Sequence, residues 1–409
     1  MDILFALFLL LNTASGSGQQ QDHSAIGKLW NTVKLTLAHE AHAKPGTTQD
    51  NGSTDPAVTD PTDAPTETEP STDPHADPQK DAPKVKGVYV TAYSAGGERM
   101  SKLLQLLDTT DLNSMVIDIK DDTGYITYKT DNETLKAQGD PKPFIKDIGK
   151  LMTTLKEHEI YPIARIVVFK DSILAKKHPE LSYVQKDGTL WHNGNGDKFV
   201  NPYRKEVWDY NVEIAKEAAK MGFKEIQFDY VRFPEGFEKK SDSLTFTKNE
   251  LSRVDIVAGF VEYAKEQLEP LGVRVSVDIF GYAASVPAAE GIGQDFVKIS
   301  NAVDVISPMI YPSHYSTGWF KQKDPDKAPY ETIKGAMLDT HKKLDPLGDS
   351  QPIIRPWIQD FTAKWLGAGH YTKYGAAEVE AQIKALRDTG VDEFLLWNAG
   401  NTYSTGVKY

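Results

Sequence analysis

From residue 85 to residue 409 the sequence repeats one pattern, in which a short apolar run is followed by an amphipathic segment of helical periodicity. Eight apolar runs are predicted strands: Lys86–Thr91, Ser114–Lys120, Tyr161–Phe169, Glu225–Val231, Val273–Phe280, Val303–Tyr311, Pro352–Ile358 and Glu393–Asn398. Eight strand–helix alternations predict the α/β fold class and, within it, a (β/α)8 TIM barrel. A doubly wound open sheet is the alternative, but its usual Gly-rich phosphate turn is missing after the first strand, where the chain reads TAYSAGGERM.

The residues that precede the barrel differ in composition. Residues 1–18 contain the apolar run Ile3–Leu11 and then small residues, which predicts a signal peptide because nine apolar residues are too few to cross a bilayer. Residues 19–84 are rich in Pro, Thr and Asp, a composition that predicts a disordered linker. Within it, residues 45–84 carry a net charge of −7, so residues 85–409 hold only −5 of the chain's −12. These segments predict a secreted or extracellular protein that associates with the cell surface or cell wall.

The composition also excludes several classes of protein. Without cysteine the chain has no disulfide framework, thiolate metal site or cysteine nucleophile. A pI near 5.4 argues against a nucleic-acid partner, which favours a basic surface. The ten histidines form no H-E-x-x-H or H-x-H pair, and neither G-x-S-x-G nor a P-loop lysine is present. We therefore expect no metal site, no small-molecule cofactor and no nucleic-acid partner.

Barrel active sites lie at the carboxyl ends of the strands, and the alternation of side chains decides which residues face the lumen. On the fourth predicted strand Gln227 and Asp229 face inward, and Arg232 is the expected counter-charge for Asp229. On the fifth, Ser276 and Asp278 face inward, with Asp278 beside Asp229. Adjacent carboxylates can serve as acid and as base or nucleophile, which cleavage of a glycosidic bond requires. Asp229 and Asp278 are therefore the predicted catalytic residues, and a structural Asp–Arg pair is the alternative for Asp229.

Further charged and aromatic side chains near the strand ends are predicted to bind substrate: Asp118, Lys120, Arg165, Arg232, Tyr311, Trp357, Asp360 and Trp397. The second-strand pair, Asp118 and Lys120, is expected to face the lumen, where a structural salt bridge is the alternative. The aromatic rings offer flat apolar faces to sugars, and burial in the core is their alternative. The alternation of side chains would turn Asp360 away from the lumen, so it can face inward only if the seventh strand ends before it.

Four motifs resemble one known family: K-G-V-Y-V-T (Lys86–Thr91), V-I-D-I-K-D-D-x-G (Val116–Gly124), F-D-Y-V-R-F-P (Phe228–Pro234) and S-V-D-I-F-G (Ser276–Gly281). Over roughly residues 85–400 the chain resembles a bacterial family of glycoside-hydrolase-like (β/α)8 barrels, long catalogued as a domain of unknown function. That family is distantly similar to the α-amylase-type barrels. The resemblance implies a secreted or surface-attached domain that acts on polysaccharide.

The α-amylase-type pattern implies one role for each matching position. Asp229 matches the strand-four nucleophile, and Asp278 occupies the place of a strand-five glutamate that acts as acid/base. Asp360 matches the supporting strand-seven aspartate loosely, and Gln227 stands where the pattern has arginine. Retaining enzymes hold the two carboxyls about 5–5.5 Å apart and inverting enzymes about 6.5–9.5 Å. Because Asp278 is one methylene shorter than glutamate, both stereochemical outcomes remain open.

The sequence thus predicts a secreted glycoside hydrolase that cleaves a polysaccharide or oligosaccharide with the carboxyl pair on strands four and five. Two alternatives remain open at this point. One is a non-catalytic carbohydrate-binding barrel of the cell envelope, and the other is a polysaccharide lyase.

Overall fold

The computed structural model describes residues 79–409. Eight parallel strands form its central sheet: β1 Lys86–Val90, β2 Ser114–Lys120, β3 Tyr161–Val167, β4 Glu225–Asp229, β5 Arg274–Phe280, β6 Val305–Met309, β7 in the two segments Ile353–Ile354 and Trp357–Gln359, and β8 Phe394–Trp397. The sheet closes on itself because β1 pairs with both β2 and β8. The predicted (β/α)8 barrel is therefore confirmed.

An outer layer of helices connects the strands: α1 Arg99–Asp108, α2 Ile148–Glu157, α3 Lys205–Met221, α4 Arg253–Leu268, α5 Phe296–Ser300, α6 Pro329–Leu344 and α7 Ala376–Asp388. Three shorter helices lie in the loops, at Ala92–Ala95, Glu133–Gln138 and Ser172–Lys177. Four short strands lie outside the ring, at Ile126–Tyr128, Pro141–Ile145, Val184–Gln185 and Leu244–Thr245. Within residues 79–409 no helix combines the length and apolar character needed to cross a membrane.

The helix boundaries follow local capping chemistry. α3 ends at Gly222, whose φ of 105° lies in the left-handed region that glycine adopts without strain. α4 begins after Ser252, whose side chain accepts a hydrogen bond from the backbone N–H of Asp255. α2 begins at Ile148 after Asp147, whose side chain accepts a hydrogen bond from the backbone N–H of Lys150, and the preceding residues 141–145 pair as a strand.

The apolar core lies between the strands and the outer helices. On α4, the fully buried ring of Phe260 makes edge contacts with Phe169, Trp208 and Phe228 at 5.3–6.0 Å. Each such aromatic contact contributes about 0.5–1.5 kcal/mol beyond burial of its area. Phe228 points outward on β4, so its neighbours Gln227 and Asp229 point into the lumen, as the alternation predicts.

Buried charges fill the amino-terminal end of the lumen. Arg355 donates hydrogen bonds to Glu225 at 2.8 Å and to Glu393 at 2.7 Å. The described end of the predicted linker lies here too, since the Gln79 side-chain amide donates to the backbone oxygen of Gly272 and Arg274 donates to the backbone oxygen of Gln79. The predicted signal peptide and residues 19–78 of the predicted linker lie outside the described residues.

Candidate active site

Asp229 ends β4 at the carboxyl-terminal mouth of the barrel and is 5% exposed. Its Oδ2 accepts hydrogen bonds from Arg165 Nε at 3.0 Å and from Nη2 at 2.6 Å. Its Oδ1 accepts from the backbone N–H of Tyr230 at 2.6 Å. Three N–H donors, two of them from a guanidinium, suit the ionised form of a carboxyl group.

Asp278 lies on the neighbouring strand, beside Asp229. The register pairs Gln227 with Ser276, which brings the next inward residues of β4 and β5 side by side on strands about 4.8 Å apart. Asp278 is 2% exposed, and its Oδ1 accepts a 2.7 Å hydrogen bond from Trp357 Nε1. Burial, and secondly the charge of Asp229, raises the pKa of Asp278 well above its usual range. Asp278 therefore keeps its proton at pH values where an exposed aspartate is ionised.

Arg165 connects the two sides of the lumen. Besides Asp229, its guanidinium donates to Asp118 at 2.7 Å and to Asp122 at 2.8 Å, and the side chain is 1% exposed. Asp118 also accepts a 2.5 Å hydrogen bond from the Tyr89 hydroxyl. Burial raises the pKa of Asp118 to about 6, although Arg165 opposes that shift. Arg165 and Asp118 lie in the lumen as predicted, and the hydrogen bonds of Arg165 all go to aspartates.

Two residues predicted from charge alone lie elsewhere. Lys120 was expected to face the lumen, but a register shift between Asp118 and Lys120 turns its side chain outward. There its ammonium contacts Asp171 at 2.7 Å and the Asn211 side chain on α3 at 3.1 Å, with no exposed surface. Arg232 was expected to be the counter-charge of Asp229, but it pairs with Glu235 at 3.4 Å. Arg165 takes that role because its guanidinium reaches across from the adjacent strand.

Sequence reasoning missed two residues at this mouth. Asp122 lies in the turn after β2, and it accepts hydrogen bonds from Arg165 at 2.8 Å and from Lys170 at 3.3 Å. Burial alone would raise the pKa of Asp122, but those two cations lower it. Tyr230 was expected on the helix side, but the strand ends at Asp229 and Tyr230 adopts a φ of 53°. Its ring lies 4.8 Å from both Lys170 and Arg232.

The aromatic residues divide into two groups. Trp357 has no exposed surface, so its ring is not available to stack on a sugar, and its indole N–H binds Asp278 instead. Tyr311 is 5% exposed beside the two carboxyls, and burial, followed by the charges of Asp278 and Asp229, raises its pKa. Trp397 is half-buried, stacks on Tyr89 at 4.0 Å and faces Arg165 at 5.4 Å. Of the three predicted platforms, only Trp397 presents appreciable ring surface.

Asp360 was predicted to bind substrate as a third carboxylate, and its contacts do not fit that role. The residue is 3% exposed, and both oxygens accept hydrogen bonds from Ser404, one from the backbone N–H at 2.8 Å and one from the hydroxyl at 2.6 Å. Its carboxyl therefore fastens the carboxyl-terminal segment to the end of β7. Burial raises the pKa of Asp360, against these hydrogen bonds.

We expect Asp360→Asn to lower the free energy of unfolding by about 1–3 kcal/mol, because one of the two donors loses its charged acceptor. If the chain cleaves glycosidic bonds, as its sequence predicts, the rate per folded molecule should stay within about twofold of wild type, since the hydrogen bonds of Asp229 and Asp278 are untouched. Urea denaturation measures the stability, and an assay for new reducing ends measures the rate. A thousandfold loss of rate without unfolding would show that Asp360 takes part in the reaction.

Trp357→Phe tests the hydrogen bond to Asp278. The indole N–H stabilises the ionised carboxyl, so its removal should raise the pKa of Asp278 further. If Asp278 must be protonated, activity falls as pH rises through that pKa, and the basic limb of the pH–rate profile should move to higher pH. A loss of packing alone would lower the rate at all pH values, so an unmoved limb would contradict this role.

Among the described residues, no group of three or more His, Asp or Glu side chains has a geometry that could hold a metal ion. The arrangement places a buried carboxyl with a raised pKa on β5 next to a carboxyl on β4 that accepts three N–H hydrogen bonds. Acid/base or nucleophilic chemistry on a bond held between the two is what such a pair can perform.

Comparison with known proteins adds the family. Residues 87–403 match the model of a family described as "Putative glycosyl hydrolase domain". The chain belongs to this family. The match spans the whole barrel and contains every lumen residue named above. No curated protein matches this chain.

Three solved bacterial structures illustrate what the chain is similar to. A hypothetical protein from Ruminiclostridium thermocellum is 36% identical, with 47% of this chain and 96% of that chain covered and a TM-score of 0.43. The spore cortex-lytic enzyme SleL of Bacillus cereus is 10% identical over 78% of this chain and 72% of its own, with a TM-score of 0.46. A chitinase from Chromobacterium violaceum is 13% identical over 80% of this chain and 96% of its own, with a TM-score of 0.44.

Proposed function

We propose that the protein is a secreted glycoside hydrolase in which Asp278 is the general acid and Asp229 is the nucleophile or base. The observation that carries the proposal is the difference between these two neighbouring carboxyls. One is buried against a single indole donor and retains its proton, and the other accepts three N–H donors. Membership of the glycosyl hydrolase family supplies the reaction class.

The proton of the acid has a definite place in this proposal. Trp357 Nε1 donates to Oδ1 of Asp278, so the proton resides on Oδ2, which has no hydrogen-bond partner among residues 79–409. Oδ2 would protonate the oxygen of the leaving sugar. Asp229 would then either attack the anomeric carbon or activate a water molecule, depending on the separation of the two carboxyls in the substrate complex.

The surroundings support charge separation between the two groups. Arg165 stabilises the ionised form of Asp229, and Tyr311 stays neutral because its pKa is raised. We propose that Trp397 stacks on a sugar ring at the mouth with Tyr311 beside it, and that Arg232 binds another part of the substrate near Tyr230. A polysaccharide or oligosaccharide is the proposed substrate, and export through residues 1–18, with association at the cell wall, is the proposed location.

The experiment that tests this function is a screen of polysaccharides for new reducing ends, with wild-type protein and Asp229→Asn in parallel. Release by wild type alone supports the proposal. An ultraviolet-absorbing unsaturated product would instead identify a lyase. Retention of polysaccharide by wild type with no product from any of them would identify a binding barrel.

A further inference from the structure

Trp365 is an unusual surface residue for its position in the barrel. Its side chain is 61% exposed, and the other exposed large apolar side chains among the described residues are Tyr93, Leu271 and Leu338. It lies in the loop that follows β7, at the carboxyl-terminal mouth, within the short 3-10 helix Lys364–Leu366. Burial of exposed apolar surface by a ligand is favourable, so an exposed indole at this mouth offers apolar area to a bound ligand.

The loop that carries Trp365 is fixed to the barrel. The carboxylate of Asp326, a residue 1% exposed, accepts hydrogen bonds from Gln359 Nε2 at 2.9 Å and from the Thr372 backbone N–H at 3.0 Å. The backbone oxygen of Asp326 accepts one from the Tyr374 hydroxyl at 3.2 Å. Next to Trp365, Ala363 has no exposed surface. The indole is therefore presented on a preorganised base, which lowers the entropy cost of binding a ligand.

One face of the indole is already covered. The Trp365 ring stacks on Phe361 with a centroid distance of 5.7 Å and an interplanar angle of 26°. Phe361 contacts Tyr311 at 5.9 Å, and Tyr311 lies beside Asp278 and Asp229. A series of ring contacts thus runs from the buried Tyr311 beside the carboxyl pair, through Phe361, to the outer indole, and the face of Trp365 opposite Phe361 points to solvent.

We propose that Trp365 is a sugar-stacking residue of an outer subsite, which binds a pyranose ring of the substrate chain several residues from the bond that is cleaved. The side chains of this surface are uncharged, which suits the C–H face of a sugar ring. The subsite deepens the proposed function and rests on it for the carbohydrate nature of the ligand. It implies that the substrate is a chain long enough to extend over the mouth beyond the carboxyl pair.

Affinity electrophoresis of the full chain through gels that contain soluble polysaccharides tests the subsite, with Asp229→Asn as the uncleaving parent. Trp365→Ala in that parent should bind about tenfold more weakly, and Trp365→Phe should recover most of the affinity. Leu338→Ala is the matched control, because Leu338 is 55% exposed on the outer helix α6, away from the mouth. It should bind like the parent.

The other possible results separate the outer subsite from the proposed hydrolysis. If Trp365→Ala binds like the parent, if Leu338→Ala is weakened equally, or if no polysaccharide retards the parent, the subsite is overturned. If a polysaccharide retards the parent in a Trp365-dependent way but wild type does not cleave it, the subsite stands and hydrolysis fails. With a cleaved polymer, Trp365→Ala should raise KM about tenfold and leave kcat unchanged.

Discussion

Asp229→Asn should abolish hydrolysis, with a loss of about 1000-fold or more, while the barrel remains folded. The substitution keeps the shape of the side chain and removes its negative charge, which the reaction needs in either a nucleophile or a base. The amide offers one acceptor oxygen, so one of the donors from Arg165 or Tyr230 loses its partner. We expect that loss to lower the free energy of unfolding by about 1–3 kcal/mol.

Rates per folded molecule, with the folded fraction taken from circular dichroism, separate these two effects. Asp360→Asn is the matched control, because it makes the same chemical change in a buried carboxyl at the same mouth. Wild-type activity in Asp229→Asn would exclude Asp229 as nucleophile or base. Equal losses in both variants would indicate a general effect of mutations near the mouth.

Arg165→Met should produce the second large effect, a loss of about 3–5 kcal/mol in the free energy of unfolding at neutral pH. The guanidinium is 1% exposed and pairs with Asp118, Asp122 and Asp229, so its removal leaves three carboxylates without their shared cation. Hydrolysis should also be lost, because the donors that hold Asp229 disappear. Arg204→Met is the control, since its pair with Glu206 is at the surface and contributes about 0–1 kcal/mol.

The stability of Arg165→Met should depend on pH in a definite direction. Arg165 lowers the pKa of Asp118 and of Asp122, so both pKa values should be higher in the folded variant than in the folded wild type. The folded variant then binds more protons than folded wild type, so its free energy of unfolding falls relative to wild type as pH rises through those values. Urea denaturation between pH 4 and pH 8 should therefore show the largest deficit, relative to wild type, at the highest pH. A loss of unfolding free energy that does not depend on pH would contradict the claim that Arg165 acts by neutralising these carboxylates.

The alternation of side chains along single strands carried the correct predictions. It placed Asp229, Asp278, Asp118 and Arg165 in the lumen, because regular strands alternate strictly between two faces. The same rule failed where a strand is irregular. A register shift turns Lys120 outward, and β4 ends one residue before Tyr230, whose positive φ is rare for a bulky residue and has no local sequence signal.

Other assignments depended on contacts between distant parts of the chain. Asp360 binds Ser404, 44 residues away, and Trp357 binds Asp278, 79 residues away. Composition and periodicity carry no information about such pairs, because they arise only when the barrel closes. Asp122 lies two residues after the end of β2, and its charge is visible in the sequence, but only the hydrogen bond from Arg165 on β3 makes it part of the site.

The measurement that tests the account most directly is a titration of the Asp278 carboxyl by ¹³C NMR. The protein is labelled with [¹³C]aspartate, and the resonance is assigned by its absence in Asp278→Asn. The account predicts that Asp278 is still protonated at pH values where an exposed aspartate has ionised, and that Asp229→Asn lowers its pKa, because a neighbouring negative charge is removed. An Asp278 carboxyl that ionises at about pH 4 and does not respond to Asp229→Asn would contradict the proposed acid and its partner.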